Sequence, residues 1–150
     1  MTIALGADDA AYELKEIIKQ YLEEKHIEVT DYGVFDTRPS LYPDIAFAVA
    51  MAIAEGKHER GILLCGTGLG MAITANKVPG IRAATCHETY SAERARKSNN
   101  AQILTMGARV IGSELAKTVV DAWLKSEFQG GGSTAKVQRI SEYENRFLKK

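Results

Sequence analysis

A chain of 150 residues, 45% hydrophobic and 25% charged, is long enough for one domain with a sizeable core and has an ordinary globular composition. Nineteen basic side chains balance nineteen acidic ones, so the overall charge argues against nucleic acid or an anionic membrane surface as partner. No apolar run approaches the roughly 18 residues that a membrane span needs, and two cysteines and three histidines form no metal-ligand spacing. No metal or other cofactor is expected.

The opening stretch, Thr2 to Leu5, is apolar and reads as a strand ending at Gly6. It has neither the basic segment nor the cleavage site of a signal peptide, so a cytoplasmic protein with free thiols is expected. Ala10 to Glu24 has helical spacing, with Leu14, Ile17, Ile18, Tyr21 and Leu22 on one face and Lys15, Glu16, Lys19 and Glu23 opposite. Ile27 to Thr30 is a second strand, and Phe35 to Tyr42, with Pro39 inside it and Pro43 after it, is loop. Asp44 to Glu55 is an apolar, alanine-rich helix expected to be largely buried. Ile62 to Cys65 is the third strand; Met71 to Lys77 is a helix broken by Pro79-Gly80. Ile81 to Cys86 is the fourth strand, Glu88 to Lys97 a charged helix and Ile103 to Met106 the fifth strand. Glu114 to Lys125 is amphipathic, Gly130-Gly-Gly-Ser is a flexible joint, and Ala135 to Leu148 forms a last helix.

Strands alternating with helices at this spacing predict an α/β fold with an open, five-stranded, mostly parallel sheet covered on both faces, in a single domain over residues 1–150. Ligands bind such sheets outside the C-terminal ends of the strands. There the chain offers Asp8 and Asp9, Cys65 to Gly70, Cys86 to Tyr90, and Gly107 to Arg109. The last helix has little sheet left to cover, so it is expected to pack on a second subunit.

The stretch Gly61-Ile-Leu-Leu-Cys-Gly-Thr-Gly-Leu-Gly-Met71 reads as buried strand, glycine-rich turn and helix start. Free amides and a helix dipole make such a turn suited to an anion. Its alternating glycines lack the dinucleotide spacing, and no Lys-Ser/Thr follows as in a phosphate-binding loop. Cys65 has two readings, a small buried hydrophobe or a thiolate base whose oxyanion product the turn's amides stabilise. Asp8 and Asp9 have a plain reading as helix caps, and Cys86 and His87 as core and loop.

Taken together, Gly6-Ala-Asp-Asp-Ala-Ala-Tyr-Glu-Leu-Lys15, Tyr42-Pro43, Cys65-Gly-Thr-Gly-Leu-Gly70, Ala75-Asn-Lys and Gly80-Ile-Arg-Ala83 resemble ribose-5-phosphate isomerase B and the galactose-6-phosphate isomerase subunits. Tyr90-Ser-Ala, Asn99 and Gly107-Ala-Arg109-Val-Ile-Gly continue the match along nearly the whole chain. The resemblance implies a Rossmann-like fold, a homodimer or homotetramer with active sites shared between subunits, and metal-free aldose–ketose isomerisation of a sugar phosphate through a cis-enediolate. It assigns Cys65 as the base between C1 and C2, with Thr67 supporting it and Gly66, Gly68, Leu69 and Gly70 supplying amides. Asp8, Tyr42 and Asn99 would meet substrate hydroxyls, and Arg109 the phosphate.

Three positions depart from that pattern. Asp9 stands where the family commonly has histidine, Ser98 where a ring-opening histidine precedes the asparagine, and Gly132-Ser-Thr-Ala-Lys136 where an Arg-His-x-x-Arg phosphate clamp is usual. Lys136 is left as a point charge in place of a bidentate fork. Serine is a poor proton shuttle at neutral pH, and a tetrose 4-phosphate cannot close a furanose ring, so the departures point to a four-carbon substrate. His87 is a second candidate for opening a pentose ring.

Overall fold

The computed structural model describes residues 2–148. Five strands, β1 (Thr2–Ala7), β2 (Glu28–Asp31), β3 (Arg60–Cys65), β4 (Ala83–Thr85) and β5 (Ile103–Gly107), form one sheet in the order β2-β1-β3-β5-β4. Every pair in it is parallel, with Ala7 opposite Leu64 and Cys65 opposite Gly107. Strands β1, β3 and β5 are almost wholly buried apolar runs, as a sheet covered on both faces requires. Helices α1 (Tyr12–Glu24), α2 (Tyr42–Ala54), α3 (Leu69–Ala75), α4 (Thr89–Lys97), α5 (Ser113–Leu124) and α6 (Gly132–Leu148) complete the chain. Among the described residues no helix is long and apolar enough to cross a membrane.

Two apolar cores form, one on each face. Leu14, Ile18, Leu22, Leu104, Val119 and Trp123 pack α1, α4 and α5 on one side; Val49, Ile53, Leu63, Met71 and Ile103 pack α2 and α3 on the other. Each large buried aliphatic contributes about 1.5–3 kcal/mol.

Several boundaries and faces differ from the sequence reading for local reasons. The α2 helix begins at Tyr42 because Pro43 sits in its first turn, where a missing N–H costs nothing. It is only half buried: Phe47 is 54% exposed, and Leu69 and Ile73 of α3 are exposed as well. On α1 the polar face is broken, because Lys15 is fully buried with its ammonium 2.6 Å from Asp31, while Ile17 is exposed. The charge is tolerated there because Asp31 and the faces of Tyr12 and Phe35 surround it. The fourth strand is shorter than expected, Ala83–Thr85, and α6 starts three residues earlier, at Gly132, with Gly130 and Gly131 at positive φ before it.

Candidate active site

The strand order changes direction between β1 and β3: the chain leaves β1 for β2 on one side, and β3 lies on the other. The crevice at the C-terminal ends of these two strands is the place where an open α/β sheet leaves room for a ligand. Asp8 follows β1 and donates its N–H to the Leu64 carbonyl at 3.1 Å, so it stands beside Cys65 at the end of β3.

Cys65 is 4% exposed, and its sulfur accepts the Gly68 N–H at 3.0 Å. The turn can fold back this tightly because Gly68 has φ +82°, and a Cβ there would meet the Met106 backbone at 2.8 Å. Thr67 Oγ1 accepts the Leu69 N–H at 3.3 Å. Gly107 makes room from the other strand, since a Cβ on it would lie 2.5 Å from Thr67 Cα. Below the turn, Thr85 Oγ1 shares a 2.7 Å hydrogen bond with buried Thr105 and reaches the Gly68 carbonyl at 3.4 Å.

The end of β5 and the start of α2 complete this edge. Arg109 donates its N–H to the Gly66 carbonyl at 3.0 Å, and its guanidinium lies over Gly66, where a Cβ would come within 3.2 Å of Nη1. Tyr42 lies across Gly70, its ring occupying the space a Cβ would take. Asp8 accepts the Ala11 N–H at 3.1 Å and so caps the 3-10 turn Asp9–Ala11. Burial raises its pKa above 3.8; Asp9 adds to the rise, and the Ala11 hydrogen bond and Arg109 oppose it. Asp9 behaves oppositely. Hydrogen bonds from Ser40 hold its carboxyl below 3.8, with Arg109 contributing in the same sense.

His87 follows β4, and its Nε2 accepts the Gly107 N–H at 2.8 Å, which ties the β4–α4 connection to the end of β5. Burial lowers its pKa from 6.5, in keeping with a neutral ring that must accept. Cys86 is buried, and desolvation pushes its thiol up to about 11. That suits a packing residue, since the reactive form is the thiolate.

The remaining candidates lie elsewhere. Ser98 and Asn99 end α4, which runs back from the C-terminal edge, and they precede the first residue of β5. Ser98 Oγ accepts the Arg94 Nε–H at 2.8 Å. Lys136 is exposed on α6, which lies across the same N-terminal edge: Gln129 N–H donates to the Lys97 carbonyl at 3.1 Å before it, and Glu144 accepts the Gly80 N–H at 2.9 Å near its end. A strand of this length spans roughly 17–20 Å. One chain therefore brings Asp8, Asp9, Tyr42, Cys65 to Gly70 and Arg109 to one edge and leaves Ser98, Asn99 and Lys136 at the other.

Sequence reasoning missed Ser40, a loop residue with no motif around it; only its three-dimensional neighbour Asp9 marks it. It also left His87 without a partner, because Gly107 belongs to a strand twenty residues on.

Comparison with known proteins bears on the fold and the family. The Ribose/Galactose Isomerase family model matches residues 3–140. A D-erythrulose-4-phosphate isomerase of Pectobacterium atrosepticum is 60% identical, over 97% of this chain and 97% of its own. A ribose-5-P isomerase B of Listeria innocua is 55% identical, over 97% of this chain and 99% of its own. The structure of ribose-5-phosphate isomerase B from Clostridium thermocellum superposes with a TM-score of 0.96 at 46% identity, covering 98% of this chain and 99% of that one. With a match that spans the sheet, the Cys65 turn and the start of α6, this chain belongs to the ribose/galactose isomerase family and is an aldose–ketose isomerase.

Proposed function

We propose that the protein interconverts erythrose 4-phosphate and erythrulose 4-phosphate, with Cys65 as the base. The observation that carries the base assignment is the Gly68 N–H aimed at the Cys65 sulfur inside an amide-lined turn at the β1/β3 crevice. In the aldose-to-ketose direction the thiolate takes the proton from C2, and the electron pair moves to form the cis-enediolate. The same sulfur returns the proton to C1 while the hydroxyl proton passes from O2 to O1. Thr67 and the amides of Gly66, Gly68, Leu69 and Gly70 stabilise the oxygens as charge develops on them. Asp8 and Tyr42 meet substrate hydroxyls, and Arg109 faces the phosphate. No metal or other cofactor enters this scheme.

Two observations support a shared site in a homodimer or homotetramer. Ser98, Asn99 and Lys136 sit a strand's length from Cys65 in their own chain, so they reach a Cys65 site only on a second copy. Exposed Phe47 on α2, Leu69 and Ile73 on α3, and Ile140, Tyr143 and Phe147 on α6 are apolar surface that a second copy would cover. The free, buried thiols suit a cytoplasmic setting.

The tetrose reading rests on Ser98. Its oxygen accepts from Arg94, and a serine so held offers no group that titrates near neutrality for opening a furanose ring. The name of the Pectobacterium atrosepticum relative points the same way. Supplying erythrose 4-phosphate, ribose 5-phosphate and a six-carbon aldose phosphate to the purified protein tests this directly. The expected order of kcat/KM puts the tetrose first; ribose 5-phosphate ahead of it would leave a pentose isomerase instead. A Cys65→Ala variant should lose turnover; a parent protein that turned over none of these sugars, with Cys65→Ala keeping its complex and affinity, would be a binding subunit instead.

A further inference from the structure

Asp9 and Ser40 are 31 residues apart, and three hydrogen bonds clasp them: Ser40 N–H and Oγ–H donate to Asp9 Oδ1 at 3.1 and 2.8 Å, and Asp9 N–H donates to Ser40 Oγ at 3.1 Å. The clasp closes the far end of the β2–α2 connection. Its near end is tied as firmly, with Asp31 accepting from Gly33 N–H at 2.8 Å and from buried Lys15. Gly33 and Val34 also exchange backbone hydrogen bonds with Ala7 at 2.7 and 2.8 Å. Between the two ties the segment borders an open surface pocket of about 420 Å³.

The far tie matters for the site because, among the described residues, no side chain caps the start of α2. Its N-cap is Leu41, whose side chain cannot accept an amide, so the first turn is held by the Asp44 N–H donating to the Leu41 carbonyl at 3.1 Å and by the contacts on either side. Tyr42 is the first residue after that uncapped position, and its ring fills the space over Gly70. The order of contacts is thus Asp9 to Ser40, then two residues along the chain to Tyr42, then Gly70 of the turn that holds Cys65.

We infer that the Asp9–Ser40 pair is a positioning device that holds Tyr42 over the Gly70 turn and so sets how the substrate is held. Asp9 is then a positioning residue, and its carboxylate, already engaged by Ser40, leaves direct substrate contact to Asp8 and Tyr42. This rests on the reading of Tyr42 as a substrate contact in an isomerase.

The test uses the full-length protein with Ser40→Ala, Ser40→Thr and Asp9→Asn. Each is assayed with erythrose 4-phosphate and ribose 5-phosphate, and followed by hydrogen exchange over residues 33–42 and 68–72. Ser40→Ala is expected to raise KM about tenfold, the scale of lost hydrogen bonds to a charged group, with kcat within about twofold. Ser40→Thr keeps the hydroxyl and should bring KM back to within about twofold of the parent. Asp9→Asn, which keeps Oδ1 but not its charge, should fall between. An unchanged KM in Ser40→Ala, or a fall in kcat with KM unmoved that Ser40→Thr does not repair, overturns the inference. Should the parent protein turn over neither sugar, the isomerase reading fails by itself. Exchange then decides the clasp: faster exchange at 68–72 as well as 33–42 in Ser40→Ala upholds the coupling, and unchanged exchange at 68–72 overturns it.

Discussion

The Gly68 N–H donates to the Cys65 sulfur at 3.0 Å, so the turn leaving β3 closes on the side chain that ends the strand. Negative charge arising on the sulfur meets a fixed dipole that needs no rearrangement. Replacing Cys65 by alanine should lower kcat by about 10²–10⁴-fold, the usual worth of a positioned base. Circular dichroism and the thermal midpoint should show the fold intact, since a small side chain is lost at the end of a strand. Turnover within tenfold of the parent would remove Cys65 from the mechanism.

Gly68→Ala probes the same contact through the backbone. Left-handed φ costs a residue with a Cβ about 1–2 kcal/mol, and here the Cβ also presses on the Met106 backbone at 2.8 Å. The variant should lose about 2 kcal/mol or more in urea unfolding and most of its kcat, because relief of the clash moves the N–H off the sulfur. Gly80→Ala, at φ +85° but with nothing within 4 Å of its Cβ, should cost stability alone.

Ser98→His tests the reason for the four-carbon reading. An imidazole at that position is a proton shuttle near neutral pH. Ribose 5-phosphate turnover should rise about tenfold or more relative to erythrose 4-phosphate. An unchanged ratio would mean that sugar length is selected elsewhere.

Acid should loosen the β4–α4 connection through His87. The Gly107 N–H needs an acceptor on Nε2, and burial keeps the folded-state pKa below 6.5. A folded pKa below the unfolded value means that the stabilisation is complete above pH 6.5 and is lost as pH falls through the lower folded value. His87→Gln, whose side-chain oxygen accepts without titrating, should flatten that part of a urea-midpoint profile. An identical profile in the variant would assign the pH dependence to other groups, such as His58, also shifted down by burial.

Lys15→Met should destabilise by about 2–3 kcal/mol even though methionine is the better core residue in volume and polarity. Removing the ammonium leaves Asp31, its side chain 10% exposed, with Lys19 at 3.3 Å and the Gly33 amide as its remaining partners among the described residues. Burial alone pushes the Asp31 carboxyl up, and Lys15, Gly33 and Lys19 together bring it below 3.8. In the parent this contribution is present above pH 3.8 and lost as pH falls through the lower folded value. In the Lys15→Met variant the acid transition should therefore begin at higher pH.

The alternation of apolar runs with helical spacing determined the architecture by itself, because buried parallel strands and amphipathic helices carry their periods in single residues. Asp8, Cys65 and Arg109 followed from the rule that ligands meet such sheets at the C-terminal ends of the strands. Cys65-Gly-Thr-Gly is contiguous, so the turn and its cysteine were visible in one stretch. Lys15 was assigned to solvent because periodicity cannot register a partner, Asp31, that arrives from another element.

Only the tertiary structure decided the rest. It separated Ser98, Asn99 and Lys136 from Cys65 by a strand's length, and it gave Asp9 to Ser40. The first follows from α4 returning to the N-terminal edge before β5, the second from the β2–α2 connection passing beside the end of β1, a contact between distant segments that no local pattern encodes. The Cys65 turn was readable from its glycines; what holds Tyr42 over it was not, because that fastening joins residues 31 positions apart.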